Sequence, residues 1–330
     1  AYTADQKIDA WHLGLDINFG ETLRLAGGFR EERSDQSVST FNLFDPDRNV
    51  VESNLDTDDS FPFFTATWFY DDHQVRAGYA ETINRPDFKE LSESLYKDPI
   101  LDRLVKGNPD LEAAYLTHYD LRWDYYFNPG EFISLGVFYK EFDKPIESVI
   151  LASADTDLTS FDNAEAAENF GVEFELYKTF DFLDLWWGWG DIWEKFYINT
   201  NYAWIDSEIT LEDRDDNIQT SNQRPLQGQS PYVWNLQIGY DDEDRNINTA
   251  LLYNVFGERI VDVGVSGAPD ILEQPRPSLD FVYSQGFGAW KLKFKFKNLL
   301  DPDIKLTQGG ETTRITSVGR EFSAAVQYEF

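Results

Sequence analysis

From Trp290 to Lys297 every second residue is a lysine, and the residues between them are Trp, Leu and Phe. Successive side chains of a strand point to opposite faces, so this stretch makes one cationic face and one aromatic and aliphatic face. The same period of two runs through the chain. Trp11, Leu13, Leu15, Ile17 and Phe19 alternate with His12, Gly14, Asp16 and Asn18. Leu23, Leu25, Gly27 and Phe29 alternate with Arg24, Ala26, Gly28 and Arg30. Leu121, Trp123, Tyr125 and Phe127 alternate with Arg122, Asp124 and Tyr126, and Tyr232, Trp234, Leu236, Ile238 and Tyr240 with Val233, Asn235, Gln237 and Gly239. Such a chain is all-β, and its turns divide it into about thirteen strands in one meander.

A soluble sandwich also alternates, so two further features carry the distinction. The strands are long, about ten residues or more, as a tilted membrane-spanning strand requires. The connections also alternate in length. Short ones fall at Gly20-Glu21, Asp71-Asp72-His73-Gln74, Asn128-Pro129-Gly130, Asp241 to Arg245 and Gly286-Phe287-Gly288. Long ones run from Ser37 to Asp59, Phe88 to Glu112, Leu151 to Phe161, Glu212 to Ser230 and Asp262 to Glu273. Short turns on one rim and long loops on the other define an outer-membrane pattern. The expectation is a single domain over residues 1–330, an antiparallel transmembrane β-barrel of about 13–14 strands with periplasmic turns and extracellular loops. Its first strand should begin on the long-loop side and its last should finish on the short-turn side. A self-contained barrel starts and finishes on the same side. The count therefore leaves a miscounted strand, further N-terminal strands, or closure through a parallel pair.

Composition narrows the function. Acids outnumber bases 60 to 28 in 330 residues, a net charge of −32, which argues against nucleic acid as a partner because phosphate contacts need a Lys/Arg surplus. There is no Cys, so there is no disulfide and no thiolate metal site. Three scattered histidines, His12, His73 and His118, do not suggest a zinc centre. No apolar run is long enough for a transmembrane helix, a criterion that does not touch alternating strands. A chain opening at Ala1, without an initiating Met or a signal peptide, reads as a processed protein or a piece of one. The sequence carries no Gly-x-Ser-x-Gly elbow, P-loop or His-Glu-x-x-His pattern, so no enzyme activity and no cofactor are expected.

At the C-terminus Phe322, Ala324, Val326, Tyr328 and Phe330 form one apolar face ending in an aromatic. This resembles the assembly signal of bacterial outer-membrane barrels and implies the barrel assembly machinery as a partner.

Several segments resemble the C-terminal half of TonB-dependent outer-membrane receptors. They are Ile83-Asn84-Arg85-Pro86-Asp87-Phe88-Lys89-Glu90-Leu91, Gly107-Asn108-Pro109-Asp110-Leu111-Glu112, Phe138 to Ile146 with its Tyr139-Lys140 and Pro145-Ile146, and Asn169 to Glu175 with a Gly-x-Glu-x-Glu core. Leu226-Gln227-Gly228-Gln229-Ser230-Pro231-Tyr232, Lys297-Asn298-Leu299-Leu300-Asp301 and Gly319-Arg320-Glu321-Phe322 complete the set, in the family's order. The resemblance implies a bacterial outer-membrane location and uptake of a small nutrient such as an iron chelate, cobalamin or glycan. A full receptor of this family has a plug domain and a barrel of twenty-two strands. The sequence contains no plug, through which the TonB system acts, so the expectation is a receptor fragment or a plugless pore. A scaffold or subunit in a larger envelope assembly is the alternative.

Candidate sites each have a bland reading. Lys291, Lys293, Lys295 and Lys297, with Arg24, Arg30, Arg76 and Arg122, fall on the expected lumen face. The lysines would draw anionic solutes or steady a plug, but pairing with acids such as Asp280 is the favoured reading. Trp186, Trp187, Trp189 and Trp193, in an apolar stretch on the short-turn side, are read as membrane-interface aromatics on a segment lying flat on the membrane. Asp45-x-Asp47-x-Asn49 and the cluster Glu212, Asp213, Asp215, Asp216 resemble calcium loops only superficially, because the Gly and closing Glu are missing. They are read as solvated surface.

Overall fold

The computed structural model describes residues 2–41, 50–98, 103–151, 158–188, 190–211 and 219–329. Thirteen strands follow one another in a single antiparallel sheet. They are β1 (Tyr2–Phe19), β2 (Leu23–Phe41), β3 (Val50–Tyr70), β4 (His73–Asn84), β5 (Ala114–Asn128), β6 (Glu131–Asp143), β7 (Ala166–Thr179), β8 (Phe196–Thr210), β9 (Tyr232–Asp242), β10 (Ile247–Phe256), β11 (Ser278–Phe287), β12 (Trp290–Lys297) and β13 (Glu321–Tyr328). A two-residue strand, Gln223–Arg224, adds to the end of β8 and makes fourteen. Each strand pairs with its sequence neighbours, the up-and-down order of a β-barrel wall.

Tight turns join β1 to β2, β3 to β4, β5 to β6, β9 to β10 and β11 to β12 on one rim. Backbone chemistry explains why they are tight. Asp71 (φ 48°), Asn246 (φ 51°) and Gly288 (φ 60°) take the left-handed conformation such turns need, which Asp, Asn and Gly tolerate best. The β7–β8 connection on this rim is the exception and holds three short helical turns, Asp181–Leu183, Asp184–Trp187 and Gly190–Lys195.

The opposite rim carries the long connections. There the chain builds two small sheets, one of Tyr96–Asp98, Arg103–Val105, Ile146–Leu151 and Leu158–Asn163, the other of Arg259–Asp262, Ile271–Glu273, Ile304–Gln308 and Glu311–Thr316. The buried apolar clusters of the described residues gather in this layer. One is Val38, Leu91 and Leu111, a second Ala164, Ala167, Ile209 and Leu211, a third Ile150, Ile260 and Val263.

Register fixes the two faces of the wall. Directly paired residues share a face, and the row Arg24, Thr67, Arg76, Arg122, Gly136, Glu173 runs across β2 to β7 on the polar one. The other face holds Leu13, Leu15, Leu121, Val137, Val172, Trp204, Ile238, Leu251 and Phe294, all exposed. In a soluble protein these side chains would be buried beneath a second layer. Aromatics border this band. Toward the loops, Tyr79, Tyr119 and Tyr139 stand side by side at 5.4 and 6.3 Å, and toward the turns Trp68 stacks on Tyr70 at 5.6 Å and Trp290 meets Tyr328 at 4.8 Å with the rings tilted. Beyond the tyrosines the same face turns acidic in one cross-strand row, Glu81, Thr117, Glu141, Glu168 and Glu208. An apolar band between aromatic girdles is the membrane-facing surface of an outer-membrane barrel. Among the described residues no helix is long and apolar enough to cross a membrane.

Among the described residues β1 pairs only with β2 and β13 only with β12, and both run from the loop rim to the turn rim. The sheet thus has two edges of the same polarity, as the turn-counting predicts.

Candidate functional site

The polar face divides into three zones. The first lies on β2 to β7. Arg24 holds Asp16 through two nitrogens, Nε at 2.9 Å and Nη2 at 2.5 Å. Arg30 donates to Glu32 at 2.8 Å. Arg122 donates to Asp124 at 2.7 Å, to Ser134 at 2.9 Å and to Glu175 at 2.6 Å, so it ties three strands together. Arg76 makes no ion pair among the described residues, although it lies directly opposite Arg122 in the ladder. Arg24 and Arg76 line a cavity of about 290 Å³ with Ala26, Thr65, Thr67 and Gln74.

The second zone is an amide ladder. Asn254 donates to Asn235 at 2.6 Å, and Asn235 donates to Asn201 at 2.8 Å, across β10, β9 and β8. These amides and Asn199, Gln237 and Asp280 line a hollow of about 260 Å³. The sequence does not reveal this ladder, since three asparagines align only once the register is known.

The third zone is the lysine stripe. Lys291, Lys293 and Lys295 make no ion pair among the described residues, and Lys297 pairs with Glu321 at 3.1 Å. Asp280, the acid considered for the stripe, instead accepts the backbone N–H of Asn298 at 2.9 Å. Its charge is held at the strand end and leaves the ammonium groups above the β12 backbone without it.

Loops fold over the loop-side end of the polar face. Arg85 donates to Glu32 at 2.6 Å and to Thr57 at 3.1 Å, and Tyr115 donates to Asp59 at 2.8 Å. Gln36 reaches the Pro86 carbonyl at 2.8 Å, and Thr40 and Ser92 share a buried hydrogen bond of 3.0 Å. A second latch joins Arg224 to Glu147 at 3.0 Å, both buried. Burial pushes the Glu147 carboxyl above its ordinary range, against the pull of Arg224.

Trp186 and Trp187 are exposed and Trp193 half-buried on the turn rim. Phe322, Val326 and Tyr328 lie exposed on the apolar face of β13. Trp189, Phe330, Asp45, Asp47, Asn49 and the 212–216 acids lie outside the described residues. Among the described residues no group of His, Cys, Asp and Glu is placed to hold a metal.

The wall, its girdles and its polar lining define the class: a β-barrel of the outer-membrane type. The family "TonB dependent receptor-like, beta-barrel" matches residues 1–299, and the chain belongs to that family. No curated protein sequence matches it. Among solved structures, the copper transporter OprC superposes with a TM-score of 0.71 at 15% identity over 99% of this chain and 48% of its own. The ferric yersiniabactin uptake receptor FyuA from Yersinia pestis gives 0.67 at 15% over 100% and 46%. The siderophore receptor PiuA from Acinetobacter baumannii gives 0.67 at 14% over 99% and 44%. The chain thus spans less than half the length of these proteins.

Proposed function

We propose that this chain forms the C-terminal wall of an outer-membrane transport barrel that takes up a small nutrient, a metal chelate above all. The observation that carries the reading is the split of the sheet into an uncovered apolar face and an opposite face of arginines, amides and lysines. In this reading the apolar face meets lipid and the polar face lines the lumen. The structural neighbours named for siderophores and copper support the ligand class. Unpaired N–H and C=O groups at a strand edge are costly in hydrocarbon, so the edges of β1 and β13 are joined by further strands. Because both edge strands run the same way, antiparallel closure takes an odd number of them. The test is uptake by cells with and without the gene. Loss of uptake of one radiolabelled ferric or cupric chelate supports the reading. Unchanged uptake of ferric chelates, copper and cobalamin, with the protein present in the outer membrane, rejects it.

A further inference from the structure

On the turn rim, the β7–β8 connection is not a turn but a built platform. Leu185 is 86% exposed, Trp186 79% and Trp187 61%, and Phe182 and Ile192 are exposed beside them. A floppy loop could show apolar side chains by accident, but this segment is pinned. Gly188, left-handed at φ 62°, returns its N–H to the Asp184 carbonyl, and the Asp184 side chain accepts the Gly190 N–H at 2.6 Å. Phe180 N–H bonds the Phe196 carbonyl at 2.9 Å. At its two ends Lys178 grips Asp181 at 2.5 Å and Glu131 at 2.8 Å, and Lys195 grips Asp242 at 2.9 Å.

The platform continues the apolar face of the wall. Trp187 packs on Trp193 at 5.4 Å, Trp193 on Phe196 at 6.1 Å, and Phe196 on Tyr240 at 4.8 Å. Phe196 and Tyr240 are direct cross-strand partners in the same register as Ile198 and Ile238, which places them on the exposed apolar side. An unbroken aromatic path therefore leads from the lipid-facing band onto the platform. Of its acids, Asp181 pairs with Lys178 and the Asp184 carboxylate accepts the Gly190 N–H, while Asp191 stands exposed on the same platform.

We propose that residues 180–188 and 190–195 form a lipid anchor, with Leu185, Trp186 and Trp187 inserted into the headgroup and upper acyl region of the leaflet at the turn rim. Amphipathic segments with Trp and Leu on one side occupy this depth. The anchor fixes the height and tilt of β7 and β8 in the bilayer. The inference rests on the reading of the apolar face as lipid-facing.

The chain has no cysteine, so single labels are unambiguous. L185C and W186C, and D191C on the same platform, are each made in the full chain, nitroxide-labelled and reconstituted in vesicles of phosphatidylethanolamine and phosphatidylglycerol. V172C, on the apolar band, serves as reference. The oxygen-to-nickel-chelate accessibility ratio at 185 and 186 should exceed that at 191 by about tenfold, and depth should fall about 5–10 Å below the headgroups. If the label at 172 sits in lipid while those at 185 and 186 are open to the nickel chelate, the anchor is rejected and the barrel reading stands. If labels at 185 and 186 are immobile and shielded from both reagents, a protein covers the platform and the anchor is likewise rejected. If the label at 172 is itself in water, both readings fall.

Discussion

Arg76 and Arg122 face each other directly across the β4–β5 ladder, yet among the described residues only Arg122 has acids to hold. Two guanidinium groups in one cross-strand pair repel, and the cost is relieved on the Arg122 side by Asp124 and Glu175. The two positions therefore respond oppositely to truncation. R122A leaves Asp124, which is buried, without its cation and should cost about 1–3 kcal/mol. R76A removes only repulsion and should be neutral or stabilising by less than about 1 kcal/mol. Urea unfolding from detergent micelles distinguishes them. Equal losses for both would show that Arg76 has an anionic partner in solution.

The face assignment is tested by neighbours on opposite sides of β9. Ile238 is on the apolar face and Gln237 on the polar one. I238R should cost about 2–4 kcal/mol in a bilayer, the depth-dependent penalty of a cation among acyl chains. Q237R loses one hydrogen bond, to the Tyr197 hydroxyl at 2.8 Å, and should cost about 0.5–1.5 kcal/mol. Folding yield into vesicles and the unfolding midpoint report both. The reverse order would place lipid on the wrong side of the sheet.

Gly171 is a packing requirement rather than a hinge. A Cβ there would come within 2.3 Å of the Phe138 ring on β6, so the far edge of the ring occupies the space over the glycine. G171A should cost about 1–3 kcal/mol by displacing the ring. Adding F138A removes the clash, so the double variant should lose less than the sum of the two single variants. Simple additivity in thermal unfolding would refute the contact.

How much of this was legible beforehand follows from what strands encode. Alternation at Trp11 to Phe19 or Trp290 to Lys297 fixes the faces without any knowledge of partners, so the face of Arg24 or Lys293 follows from the residue beside it. Turn residues such as Asp71 and Gly288 fix where strands end, and so their number. What alternation cannot carry is the pairing along a face. The Asn201–Asn235–Asn254 ladder and the Arg85–Glu32 latch join residues 19 to 53 positions apart, and they exist only in one register. The Asp280 pairing failed for a related reason: a strand-end carboxylate meets the free N–H of Asn298 before it meets a lysine head. The loop sheets are not legible in the sequence because their strands, some of three residues, are too short to show a period.

The Glu147–Arg224 latch carries a pH dependence. The folded loops hold the Glu147 proton more tightly than an unfolded chain does, because burial raises its pKa. By linkage the stability from this group is greatest below the ordinary Glu value of about 4.3, and it falls as pH rises from there through the raised folded value. E147Q keeps an acceptor for Arg224 and does not titrate, so its loops should lack this dependence. Amide exchange of residues 146–151 and 158–163, compared between the two proteins as pH is raised from about 4, reads the difference. A wild-type latch that tightens as pH rises would reverse the sign and show that the Arg224 attraction outweighs burial.

The lysine stripe gives a prediction on transport. Lys291, Lys293 and Lys295 project from one strand at every second position, so their charges recur about every 6.6–6.8 Å, within one Debye length at physiological salt. With no acid paired to them among the described residues, their fields add on the polar face and favour anions there. The triple variant K291Q/K293Q/K295Q keeps the length and polarity of the side chains and removes only charge. If the polar face lines a conducting lumen, as the proposed function has it, reversal potentials under a salt gradient should shift toward cation preference by about two- to threefold in permeability ratio. The shift should shrink as salt rises from about 0.1 to 1 M, where screening falls to about 3 Å. K297Q, whose ammonium is already neutralised by Glu321, should produce a smaller change than any one of the other three. Identical selectivity in wild type and triple variant would place the stripe outside the conducting path.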